Sequence, residues 1–191
     1  MAKNGLEEFK EVLRDFRSLG AYIIGGTAGA TLALALTNFG PPWPNGVSGL
    51  TSLTELLVLV FVFHFWYEKT SDQMSRRMKL ALVFLVTGFF LYLYFLDTYT
   101  FPFPNTGERW AKGFFIQDDI KPLVQELGGE LEALKGAEYK QEVIWKPWSI
   151  TLVRLTLLFL WLWFFTNLAM FVGTFVIIQR RRKTKGRRAF Q

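Results

Sequence analysis

From Leu157 to Ile178 the chain runs 22 residues without a charge, and a cluster of basic residues follows at once. At about 1.5 Å per residue such a run, made helical, spans about 33 Å. The hydrocarbon core of a bilayer is about 30 Å thick. The basic cluster is Arg180, Arg181, Arg182, Lys183, Lys185, Arg187 and Arg188. Lys and Arg are retained on the cytoplasmic side of a membrane, so this end fixes an orientation as well as an anchor. The reading is an all-α integral membrane protein. Its other helices have to be found under that constraint.

Three more apolar runs qualify as spans. They are residues 19–39, 50–67 and 80–96, with 149–178 completing a set of four transmembrane helices. The third has 17 uncharged residues, close to the shortest length that crosses. Between them lie a short loop at 40–49, a basic loop at 68–79 and a longer loop at 97–148. Hydrophobic residues make up 51% of the chain and aromatics 17%, which suits a membrane protein better than a soluble one.

Residues 1–18 carry an amphipathic helix. Leu6, Phe9, Leu13 and Phe16 share one face, and Asn4 followed by Glu7 has capping-box spacing. Such a helix can lie on the inner leaflet, fold into a pore mouth or pack on a partner. Within the first span, Ala21, Gly25, Gly29 and Ala33 fall at four-residue steps. On a helix they form a smooth stripe for close packing, inside one subunit or between subunits. The glycines at 25, 26 and 29 are no phosphate loop, because no Lys-Ser/Thr follows. Ala33-Leu-Ala35 resembles a signal cleavage site, but the full-length span behind a charged helix favours an uncleaved anchor. Trp43 stands in a rigid Pro-rich turn as an interfacial anchor. Ser52 and Glu55 have the spacing of a second capping box.

The 97–148 loop is read as a small, mainly helical outer subdomain between the third and fourth spans. Phe101 to Pro104 should be extended, because proline disfavours helix in the residue before it. From Asp119 on, Ile120, Leu123, Val124, Leu127, Leu131 and Leu134 recur at helical spacing. Gly128 and Gly129 should break or kink that helix, and Gly136 should end it. Tyr139 to Trp145 reads as a short strand.

With the N-terminus inside, 15 Lys and Arg fall on cytoplasmic segments, against six in the 97–148 loop. Both termini are therefore expected in the cytoplasm, at a plasma or bacterial inner membrane. The net charge of +6 follows from this bias, and specific nucleic-acid binding is not expected. The tail fits anionic lipid headgroups, at about 1 kcal/mol per basic residue.

Ionisable groups inside spans are costly and point to function by default. Glu55, Asp97 and Arg154 form a membrane charge cluster near the outer side in this topology. Arg154 would pair with Asp97 or Glu55, as a structural clamp or as a charged ring at a pore mouth. His64, with Glu68 four residues on, is either a pH switch or a packed interfacial group. Asn167 lies mid-span, where its amide either sets helix register or lines a polar pore. The chain has no cysteine, which excludes disulfides and thiolate metal sites. No nucleophile–base pair, nucleotide loop or metal-ligand pattern is present in the sequence, so no cofactor, metal or enzymatic activity is expected.

Four spans, inner termini and two outer loops resemble the plan of connexin- and innexin-type large-pore subunits, in topology alone. The paired outer-loop cysteines of those families have no counterpart here. The resemblance implies a homo-oligomeric channel. The alternative is a non-conducting sensor, adaptor or anchor for a cytosolic partner at the tail and the N-terminal helix. A component of a prokaryotic defence or stress system would fit either. Spans two and three are mostly Leu, Val, Phe and Tyr, so any wide pore has to form between subunits.

Overall fold

The computed structural model describes residues 39–66, 69–104 and 108–188, and beyond Arg181 it describes the backbone only. The amphipathic helix at 1–18, nearly all of the 19–39 span and the Ala21–Ala33 stripe lie outside the described residues. Among the described residues, three helices are long and apolar enough to cross a membrane. They are α1 (Val47–Trp66), α2 (Ser71–Tyr99) and α6 (Pro147–Arg188). The protein is mostly helical.

Each of the three outruns the window its hydropathy gave. α1 begins at Val47, because the turn through Pro44, Asn45 and Gly46 delivers the chain earlier, with Gly46 at φ +81° and Val47 N–H bonded to the Pro44 carbonyl at 3.2 Å. Ser52 and Glu55 are therefore interior positions, and the capping box expected there does not form. α2 takes over most of the expected 68–79 loop. Thr70 caps it, its Oγ1 facing the Gln73 N–H at 3.5 Å in the N-cap manner. Arg76, Arg77 and Lys79 thus stand on helix. α6 starts with Pro147, whose fixed φ suits a first helical position, and continues through the basic segment to Arg188. Hydropathy stops at a charge, whereas backbone hydrogen bonding does not, and Arg, Lys and Gln are good helix formers.

The described residues divide into two compact units. One holds 48–88 and the chain from Leu162 onward. Its helices meet through small residues. On α2 the buried positions Met74, Ala81 and Gly88 are seven apart, the interval of a knobs-into-holes seam. A Cβ at Gly88 would lie 2.9 Å from Trp163 Cδ1 on α6. On α1 the buried residues are Thr51, Glu55 and Val62. A Cβ at Gly173 of α6 would lie 3.1 Å from Val62 Cγ1 and 3.2 Å from Leu59 Cδ2. Lipid tails are as apolar as leucine, so close van der Waals fit of this kind is what holds helices together in a bilayer. Val62, Met74 and Ile177 form the buried cluster beside these contacts.

The other unit holds 39–47 and 89–161. The mostly helical character holds, and this segment adds one small hairpin to it. The extended stretch at Phe101 belongs to a hairpin of β1 (Thr100–Pro102) and β2 (Arg109–Ala111), with Phe101 opposite Trp110. The helix expected from Asp119 is two short ones, α3 (Lys121–Glu126) and α4 (Glu130–Gly136). Gly128 and Gly129 part them at φ +85° and +135°, conformations that only glycine adopts cheaply. The strand expected at 139–145 is instead α5 (Gln141–Ile144), and only Trp145 makes a bridge, to Ile116. Glu138 and Tyr139 both have positive φ, which breaks any strand before it can start. Trp145, 1% exposed, stacks on Phe101 and forms the centre of the unit. Ile144, Leu134, Val153 and Leu157 are buried with it.

Candidate functional site

The residues that bear chemistry lie in three places. The first is the buried polar stripe of the helical unit. Thr51 and Glu55 are one turn apart on the inward side of α1, at 0% and 5% exposure. On α6, Asn167 and Thr174 are buried two turns apart. Asn167 Nδ2 donates to the Trp163 carbonyl at 2.7 Å, and Thr174 Oγ1 donates to the Met170 carbonyl at 2.7 Å. Each of these two groups bonds to the backbone four residues earlier on its own helix. Such bonding satisfies a side chain inside an apolar bundle without a partner helix.

The second place is the basic end of the same unit. Arg181 Nη1 donates to the Lys69 carbonyl at 2.6 Å, tying α6 to the turn between α1 and α2. Arg77 lies over the Trp66 ring, 4.8 Å from its centroid, a cation–π contact. The basic loop and the start of the basic tail therefore share one end. His64 is exposed and sets its ring edgewise on Phe65. Its expected neighbour Glu68 lies outside the described residues.

The third place is the hairpin unit. Arg154, partly buried, directs Nη2 to Gln141 Oε1 at 3.5 Å. Asp97 is exposed near the end of α2 and makes no ion pair with Arg154 among the described residues. Side chains on a helix lean toward its N-terminus. Arg154 therefore reaches back toward α5 and keeps its head group near the polar end, as long cationic side chains do at membrane edges.

Three arrangements have no counterpart in the sequence reading. Arg109 Nη1 faces the Leu96 carbonyl at 3.4 Å and Thr100 Oγ1 at 3.1 Å, while Thr100 donates to the same carbonyl. A cation there caps the C-terminal end of α2, where carbonyls lack helical partners and the macrodipole is negative. Tyr92 donates its hydroxyl proton to the Phe39 carbonyl, which fixes the entry to the Pro-rich turn. Ser149, fully buried, donates to the Lys146 carbonyl at 2.8 Å at the start of α6. The Tyr92 link spans 53 positions and the Arg109 links 13 and 9, so no periodicity announces them.

The chain matches no family model, no curated protein and no solved structure. Its site must be read from its own chemistry. Among the described residues no three His, Cys, Asp or Glu side chains are placed to hold a metal ion.

Among the described residues, the most strongly perturbed acid outside the spans is Asp118. Lys121 Nζ reaches one of its oxygens at 2.6 Å and Lys146 Nζ the other at 2.7 Å. Their hydrogen bonds, reinforced by their charges, hold its carboxyl at about 2 instead of 3.8. The folded value lies below the unfolded one. The contribution to stability is therefore complete above about pH 4 and lost as pH falls through about 2. An Asp118→Asn variant should lack this step, and high salt should shrink it in the parent, because the pair is exposed. Unfolding midpoints measured between about pH 2 and 5 check both. An unchanged pH profile in the variant would count against the assignment.

Proposed function

We propose that the chain is a non-conducting membrane protein that couples an outer unit to a cytosolic partner through α6. The observation that carries the reading is the course of that helix. One uninterrupted run of 42 residues leaves the core of the hairpin unit and ends in the basic segment. Its mid-helix polar groups bond to their own backbone, which supports packing over pore lining for Asn167. In this reading residues 19–39 supply a fourth span. The 97–148 segment lies outside, and both termini lie in the cytoplasm of a plasma or bacterial inner membrane. The small-residue stripe from Ala21 to Ala33 joins copies into a homo-oligomer. The seven basic residues from Arg180 to Arg188 meet anionic headgroups and the partner.

A second reading, a pore formed between copies, is favoured by one observation. Glu55 is the one acidic residue of α1, on its inward side and one turn from Thr51. Carboxylates in that position mark ion or proton pathways in many membrane proteins. Reconstitution into liposomes separates the two. The coupling reading expects no ion flux or dye release from liposomes that contain intact protein. A conductance that Glu55→Gln abolishes would replace it with the pore.

A further inference from the structure

The exposed leucines of the hairpin unit have no role in its core. Val124, Ala133 and Leu134 point inward from α3 and α4, whereas Leu123, Leu127 and Leu131 are 46%, 43% and 52% exposed. They recur every four residues across the Gly128–Gly129 break, among Gln125, Glu126, Glu130 and Glu132.

Their position along the chain says what covers them. Trp148 to Ile178 is 31 residues, about 46 Å of helix, against about 40–45 Å for a bilayer with its headgroups. The start of α6 therefore sits at headgroup depth, where tryptophan is enriched. Phe115 packs on Trp148 with ring centroids 5.2 Å apart, and both rings are more than half exposed. The 115–117 strip is held to the chain just before α6, by Lys146 N–H to the Phe115 carbonyl at 3.0 Å and Gln117 N–H to the Ile144 carbonyl at 2.8 Å. Asp118 joins Lys146 to Lys121, the first residue of α3. α3 thus departs from the level of the α6 start, and the exposed apolar side of α6 continues from there through Leu152, Leu155 and Phe159.

We propose that Leu123, Leu127 and Leu131 form a lipid-docking surface, by which the hairpin unit lies on the bilayer its own helices cross. The occupant is a zwitterionic lipid surface. Pairing the same patch between two copies would bring Glu126 and Glu130 against their counterparts, and like charges brought together at an interface oppose such a contact. The proposal rests on the membrane reading, and its test keeps the two apart.

The chain has no cysteine, so single cysteines can be introduced cleanly. Leu127→Cys, Leu131→Cys, Gln125→Cys and Val83→Cys are each labelled with an environment-sensitive fluorophore. The full chain is reconstituted in phosphatidylcholine vesicles carrying spin-labelled lipid. All four positions are exposed, so the core stays intact, and a match to the parent circular dichroism spectrum checks it. The labels at 127 and 131 are expected to shift to the blue, to lose emission to shallow spin labels and to resist aqueous iodide. The label at 125 is expected to lose emission to iodide, and the label at 83 to deep spin labels. Iodide quenching at 127 and 131, with lipid quenching retained at 83, would overturn the docking surface alone. Absence of lipid quenching at 83 would overturn the membrane reading. Self-quenching at 127 that is relieved by mixing with unlabelled chain would show a second copy on the patch, and would also overturn the proposal.

Discussion

A Trp145→Ala variant is expected to lose about 3–5 kcal/mol of stability, the range for removing a buried tryptophan. Its side chain is fully enclosed, stacks on Phe101 and touches the floor under Gly113. A Cβ added at Gly113 would come within 2.5 Å of Trp145 Cβ. Ile144, Leu134 and Val153 of the same unit are themselves buried, so the space left by the indole is not expected to be refilled. Three residues on, Trp148→Ala should cost no more than about 1.5 kcal/mol, the worth of its contact with Phe115. Denaturant unfolding in detergent, followed by circular dichroism, measures both. Equal losses for the two tryptophans would refute the core assignment.

The second large effect is expected at Gly88. A leucine there drives its side chain into the Trp163 indole, with the Phe164 backbone close behind at 3.9 Å from the new Cβ. Overfilling a packed contact of this kind typically costs about 1–3 kcal/mol. An alanine should cost much less, because Trp163 is 39% exposed and its ring can swing aside. The decisive comparison is the double variant Gly88→Leu, Trp163→Ala. If the two residues collide, removing the indole restores part of the loss, and the two changes are non-additive. A double variant no more stable than Gly88→Leu alone would refute the contact.

Much of the helical layout was legible because a membrane span has a simple sequence signal, namely length without charge. That signal located α1, α2 and α6 but misplaced their ends. Met74 continues the inward seam of α2 into a stretch whose arginines and lysines look like loop. Glycine chemistry was legible at Gly128 and Gly129, where a helical period crosses two residues that tolerate positive φ. The hairpin was not legible. Its strands are three residues each, too short to show an alternating pattern. The charged residues were found as rare groups in apolar runs, but their partners were not. Arg154 was expected to seek a carboxylate and instead reaches the amide of Gln141, on an element whose type was itself misread. Arg109 lies outside every apolar run, and nothing in its spacing marks it as the cap of a span. Partners of this kind follow from tertiary placement, and sequence spacing does not carry it.

The bond from Arg181 to the Lys69 carbonyl spans 112 positions in sequence. At about 5–20 residues per second of synthesis, roughly 6–22 seconds separate the making of its two ends. During that interval α1 and α2 exist as a newly made pair whose inward residues, Val62 and Gly88 among them, have no α6 to receive them. A chain built like this has a vulnerable stage written into its biogenesis. Truncations that end before Leu162 should be cleared by quality control, whereas those that end after Arg181 should survive.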